Sequence, residues 1–131
     1  MYRPWRPLGH RINPYPVIKK ALLDEDGLKL NLRDYDYEID IIFEQFVGMQ
    51  IFDESTFQTM KNLNCLNDDE LENPDNIFSP LWKSTPNHRR EMYGVLGEAL
   101  YEELYSYWIM GNDFIYLIDA LDSEPIINVI S

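Results

Sequence analysis

The side chains able to do chemistry are few in kind, except for the acids. The chain has two histidines, His10 and His88, and one cysteine, Cys65. No two of these stand at the spacing of zinc ligands. Cys65, with no histidine close in sequence, reads as a small buried residue rather than a nucleophile. The run Asp24-Glu25-Asp26-Gly27 has the look of a calcium loop. Placing Gly27 at its sixth position, however, puts Leu22 first and Arg33 twelfth, and neither is a ligand. The triplet Asp34-Tyr35-Asp36 matches the loose Asp-x-Asp pattern of some metal-dependent transferases, which means little in a chain with 23 acids. There is no Gly-rich phosphate loop. These residues predict no catalytic centre, no metal site and no cofactor.

What the acids can do is bind. The stretch Arg33–Phe43, RDYDYEIDIIF, supports two readings. At a period of two it is a strand with Asp34, Asp36, Glu38 and Asp40 on one side and Tyr35, Tyr37, Ile39 and Ile41 on the other. At helical spacing Tyr35, Ile39, Ile42, Phe43 and Phe46 form one stripe. Helical spacing also accommodates the apolar residues beyond Ile41, Asp34 suits an N-cap, and Gly48 suits a stop. A helix over Tyr35–Val47 is therefore predicted. It would align Asp36, Asp40 and Glu44 beside Tyr37 and Ile41. Like charges at that spacing cost an isolated helix roughly a few tenths of a kcal/mol per pair. Such a stripe predicts a protein-binding face with Tyr37 as its anchor. Asp68, Asp69, Glu70 and Glu72 make a second acidic cluster.

The remaining elements must position that face. The first sixteen residues carry Pro4, Pro7, Pro14 and Pro16, so they are predicted to be an extended arm. The arm is basic and aromatic through Arg3, Trp5, Arg6, Arg11 and Tyr15. It suits an acidic groove on its own body or on a neighbouring copy. Residues 17–131 are predicted to be one globular domain. Val17–Gly27 reads as a short helix ended by Gly27. Leu28, Leu30 and Leu32 alternate with Lys29 and Asn31 as a strand. Ser55 and Gln58 have capping-box spacing ahead of a helix with Phe57, Met60 and Leu63 inward. Residues 67–80 read as an acidic loop, with Ile77, Phe78, Leu81 and Trp82 pinning its far end to the core. Thr85 and Pro86 open a long predicted helix running to Gly111, with Tyr93, Leu96, Leu100, Leu104, Tyr107 and Trp108 at spacings of three and four. The tail supports two readings: a helix capped by Asp113 with Phe114, Leu117, Ile118 and Leu121 inward, or two strands, Phe114–Ile118 and Ile126–Ile130, which the β-branched content and the Ser-Glu-Pro turn favour.

The whole is predicted to be an α+β domain, mainly helical, with a two- or three-stranded antiparallel sheet. Its 131 residues, 45% hydrophobic and 14% aromatic, suffice for a single core. The formal net charge is −12, from 11 bases and 23 acids. The charge is segregated: residues 1–23 hold five bases and no acid, whereas residues 24–83 hold 15 acids and four bases. Such a surface is ill suited to nucleic acid or an anionic membrane. It suits a basic protein partner, including by mimicry of a phosphate backbone. One cysteine excludes an internal disulfide, and no run approaches the length of a membrane helix, so the chain is expected in the cytoplasm. Two readings result. The first is a small non-enzymatic inhibitor of immunity type that neutralises a basic, nucleic-acid-acting protein. The second is an assembly subunit, such as a virion component, that oligomerises through the basic arm.

Overall fold

The computed structural model describes residues 2–9, 12, 16–53, 80–94 and 103–130. Within them the chain forms nine strands: β1 (Tyr2–Pro4), β2 (Val17–Asp24), β3 (Gly27–Arg33), β4 (Glu38–Phe43), β5 (Phe46–Asp53), β6 (Leu81–Ser84), β7 (Tyr105–Met110), β8 (Phe114–Ala120) and β9 (Ile126–Val129). They build two antiparallel sheets, ordered β1-β6-β7-β8-β5 and β2-β3-β4-β9. The mainly helical α+β expectation is overturned.

The reason lies in which faces are buried. In β3 and β4 the alternation is plain: Leu28, Leu30, Leu32, Ile39, Ile41 and Phe43 all point inward with no exposed surface. They meet Leu81, Tyr107, Ile109, Ile118 and Ala120 of the other sheet in one core. The five-stranded sheet is buried on its second face as well. There Tyr2, Trp82, Trp108, Met110, Ile115 and Leu117 form a separate apolar cluster, with Phe52 against it. A strand buried on both faces has no polar alternation and reads as a continuous apolar run. In β7, Tyr105, Tyr107 and Ile109 face one core while Trp108 and Met110 face the other. That double filling satisfies a helical period by coincidence. Where a long helix was expected, the described residues form a turn at 86–89, a 3₁₀ helix at Arg90–Tyr93, and β7; residues 95–102 lie outside the described set.

The expected helix over Tyr35–Val47 is also replaced. β4 ends at Phe43, Glu44 and Gln45 make a turn, and β5 begins at Phe46 in the opposite sheet. The alternation breaks at Ile42, a half-buried residue on the outer face of β4, and Phe46 and Val47 belong to the next strand in the opposite sheet, so no helical period begins. Val17–Asp24 is β2, an edge strand, rather than a helix. Gly27 closes its turn onto β3 at φ +111°, and a Cβ there would run into the Phe43 carbonyl oxygen. Only glycine takes that conformation easily. The strand expected at Leu28–Leu32 lies within β3, and the strands expected in the tail are β8 and β9. These last two join different sheets. The expected helix after Ser55, together with Ile77 and Phe78, falls outside the described residues, while Leu81 and Trp82 are fully buried in β6.

The crossing between the sheets from β8 to β9 is tied to the one from β4 to β5. Asp122 accepts the Glu44 N–H at 3.1 Å and the Gln45 N–H at 2.9 Å. Leu121 N–H donates to the Gln45 carbonyl at 3.0 Å. Residues nearly eighty apart in sequence therefore share one end of the molecule.

Candidate functional site

The sequence-derived stripe is not a stripe in the fold. Asp36 sits in the exposed β3–β4 turn, and Glu44 sits in the exposed turn at the other end of β4. The six-residue strand between them is roughly 20 Å long. Asp40 lies on the outer face of the four-stranded sheet, 7% exposed, bonded to Asn31 Nδ2 at 2.9 Å and 3.4 Å from Lys29 Nζ. Ile41 points the opposite way and is wholly buried. Tyr37 packs half-buried against the central core, and burial pushes its phenol pKa well above the usual value. Its neighbour Tyr35 is the fully exposed aromatic of that turn. Asp68, Asp69, Glu70 and Glu72 lie outside the described residues.

The N-terminal residues are placed on the chain's own body. Tyr2–Pro4 pairs with β6, with Arg3 opposite Lys83. Trp5 is 9% exposed, donates its N–H to the Leu81 carbonyl at 2.8 Å, and stacks at a tilt on Tyr107 with centroids 4.9 Å apart. Arg3 and Arg6 line a hollow beside Lys83 and Thr85. Arg11 and Tyr15 lie outside the described residues.

What the fold does bring together is a different set of acids. At the end of the molecule where the β4–β5 and β8–β9 crossings occur, Gly27, which follows Asp24, Glu25 and Asp26 at the β2–β3 turn, lies against the Glu44 backbone. Glu44 is held by Asp122. Lys83 donates to the Ser123 carbonyl and lies 4.0 Å from the exposed Glu124. The same ammonium sits 5.0 Å from the centre of the Tyr105 ring, whose hydroxyl donates to Glu103 at 2.7 Å. Carboxylates from the β2–β3 turn, the β4–β5 and β8–β9 crossings and the lead into β7 thus share one rim. The sequence singled out Glu44 alone among them. The missed signal was that acids in turns, unlike acids in strands, collect wherever the turns collect.

Two further polar features flank this rim. On the outer face of the four-stranded sheet, Lys19, Lys20, Lys29, Asn31, Glu38, Asp40 and Leu22 line a cavity of about 480 Å³. A bulge between Ile18 and Lys20 brings consecutive lysines to it. On the five-stranded sheet, Asp119 is 3% exposed and accepts from Ser106 Oγ at 2.5 Å, Arg89 Nε at 3.1 Å and Tyr93 Oη at 2.7 Å. Ser106 is itself fully buried and its N–H donates to Ser84 Oγ at 2.9 Å. Inaccessible and fully hydrogen-bonded, this network reads as a structural tie. Among the described residues no group of three or more His, Cys, Asp or Glu side chains could hold a metal ion. None of their helices is long and apolar enough to cross a membrane. Comparison with protein-family models, with curated proteins and with solved structures returned no match to this chain.

Proposed function

We propose that this chain is a non-enzymatic protein-binding module, a small inhibitor of immunity type that neutralises a basic, nucleic-acid-acting protein in the cytoplasm. The observation that carries the reading is the convergence of Asp26, Glu44, Glu103, Asp122 and Glu124 on one rim, beside Tyr105. Three of these, Asp26, Glu103 and Glu124, are exposed and anchor no described backbone group. Their removal changes the surface field with little effect on the fold. A negative rim steers a cationic partner and speeds its docking in a salt-dependent way. A tyrosine within it offers both apolar surface and a hydroxyl.

The assembly-subunit reading has less support. Its arm would have to dock on a neighbouring copy, whereas Tyr2–Pro4 and Trp5 are used within the chain itself.

The test is affinity capture from the native host, followed by purification of the captured protein and titration against salt. The expected partner is basic, and its association slows as ionic strength rises. The triple variant Asp26→Asn/Glu103→Gln/Glu124→Gln is expected to lower the association rate about tenfold at low salt. Affinity that is indifferent to salt and to this variant would rule the rim out as the binding face.

A further inference from the structure

Among the described residues β2 stands at the edge of the four-stranded sheet, paired with β3 on one side. Its residues from Lys19 to Asp24 are all exposed, with Leu22 at 43% and Leu23 at 58%. Which backbone groups face the open side follows from the register. Asp34 N–H donates to the Tyr37 carbonyl. In an antiparallel ladder alternate residues bond the same neighbour. Leu32, Leu30 and Leu28 therefore bond β4, and Asn31, Lys29 and Gly27 bond β2. The β2 partners of the latter are Lys20, Leu22 and Asp24. Ala21 and Leu23 are left to turn their N–H and C=O groups outward.

We propose that this edge is a self-association surface, on which two copies of the chain pair β2 against β2, antiparallel, about a two-fold axis through Leu22. The strand segment Lys19-Lys20-Ala21-Leu22-Leu23-Asp24, followed by Glu25 in the turn, is charge-complementary to its own reverse. In this register Lys20 faces the partner's Asp24, and Lys19, at the bulge, comes beside Glu25 in the partner's turn. Leu22 meets its own counterpart. Ala21 and Leu23, whose backbone groups point outward, form the hydrogen-bonded pairs. Centring on Ala21 instead would set Lys20 against leucine and lose both ion pairs. Parallel pairing would set lysine against lysine, which is destabilising. The cavity lined by Lys19, Lys20, Lys29 and Leu22 lies on the face where the partner's Asp24 arrives. Lysines and a bulge normally discourage edge pairing. Here they occupy one end of the strand, where the partner's acids meet them, so they select the register. The interface is isologous and closes as a dimer. It does not depend on the binding role proposed for the acidic rim.

The experiment is sedimentation equilibrium of the full chain over a range of concentrations, with thermal unfolding of each variant as a check on folding. The expected result for the native chain is a reversible dimer. Lys20→Glu is expected to weaken it about tenfold or more, because each substitution acts twice across the axis. Ala21→Pro removes an outward N–H and leaves the ladder to β3 intact, and it is expected to abolish the dimer. The charge swaps Lys20→Glu/Asp24→Lys and Lys19→Glu/Glu25→Lys are each expected to restore association relative to their single lysine variants. A native chain that stays monomeric up to about 1 mM would overturn the proposal. So would a dimer indifferent to both Lys20→Glu and Ala21→Pro, or folded swap variants no stronger than the single ones.

Discussion

The Tyr93 hydroxyl donates to Oδ2 of Asp119 at 2.7 Å, fastening the end of the 3₁₀ helix to the C-terminal end of β8. Arg89 reaches the same carboxylate, and Ser106 holds it from the adjacent strand. Asp119 thus satisfies three donors from two elements while almost wholly buried. Replacing it by Asn leaves the Arg89 charge without its counter-ion. Asp119→Asn is expected to destabilise the fold by about 3 kcal/mol in urea unfolding. Tyr93→Phe, which removes one donor, is expected to cost about 1 kcal/mol. Equal effects for the two would mean that the buried charge is not the centre of the network.

The turn at Gly27 is expected to tolerate no side chain. Its φ is +111°, and a Cβ would lie 2.9 Å from Glu44 Cα as well as against the Phe43 carbonyl. Both obstacles are backbone, which cannot rotate away. Gly27→Ala is expected to lower stability by about 2 kcal/mol or more, combining left-handed strain with displacement of the Glu44 turn. Gly9 has φ +82° but open space around its Cβ position, so Gly9→Ala is expected to cost less.

Trp5 packs against Tyr107 at the margin of the central core. Trp5→Ala is expected to cost about 3 kcal/mol, as for other large aromatic truncations in a core. Removal of residues 1–5 is expected to cost at least as much, since it also strips β1 from β6. Thermal unfolding measures both. A truncated chain as stable as the native one would show that the segment contributes nothing to its own domain.

Alkali should unfold the protein through its buried phenols. Burial pushes Tyr2 up to about 12 and raises Tyr37 and Tyr107 further. The folded state therefore favours the neutral phenol. Its stabilisation is fully present below the unfolded value near 10 and is lost as pH rises through the folded values. Ultraviolet titration is expected to show Tyr2, Tyr37 and Tyr107 resisting ionisation near pH 10. A cooperative release of the buried ones should then coincide with unfolding above about pH 10. Smooth ionisation of all nine tyrosines without unfolding would contradict their burial.

The sequence by itself determined the charge balance, its segregation along the chain, and those strands with one wet face and one dry. Leu28, Leu30 and Leu32 alternate with polar residues, so β3 is legible in isolation. For β8 and β9 the β-branched content favours strands, but Asp113 with Phe114, Leu117, Ile118 and Leu121 fits a capped helix as well, so the sequence leaves both readings open. It did not determine β4, β5 or β7. In Glu38–Phe43 the outer-face Ile42 breaks the alternation, and the apolar residues resume at Phe46 in another sheet after the polar Glu44-Gln45 turn, so two short strands add up to a false helical period. In Tyr105–Met110 both faces are buried, and no alternation exists to be read. The candidate rim was hidden for a related reason. Glu44 and Asp122 stand 78 residues apart, and nothing local tells a turn acid that meets other turns from one that meets only water. Only the tertiary structure decided that, because sheet pairing fixes which strand ends coincide, and pairing between distant segments depends on the packing of the whole core.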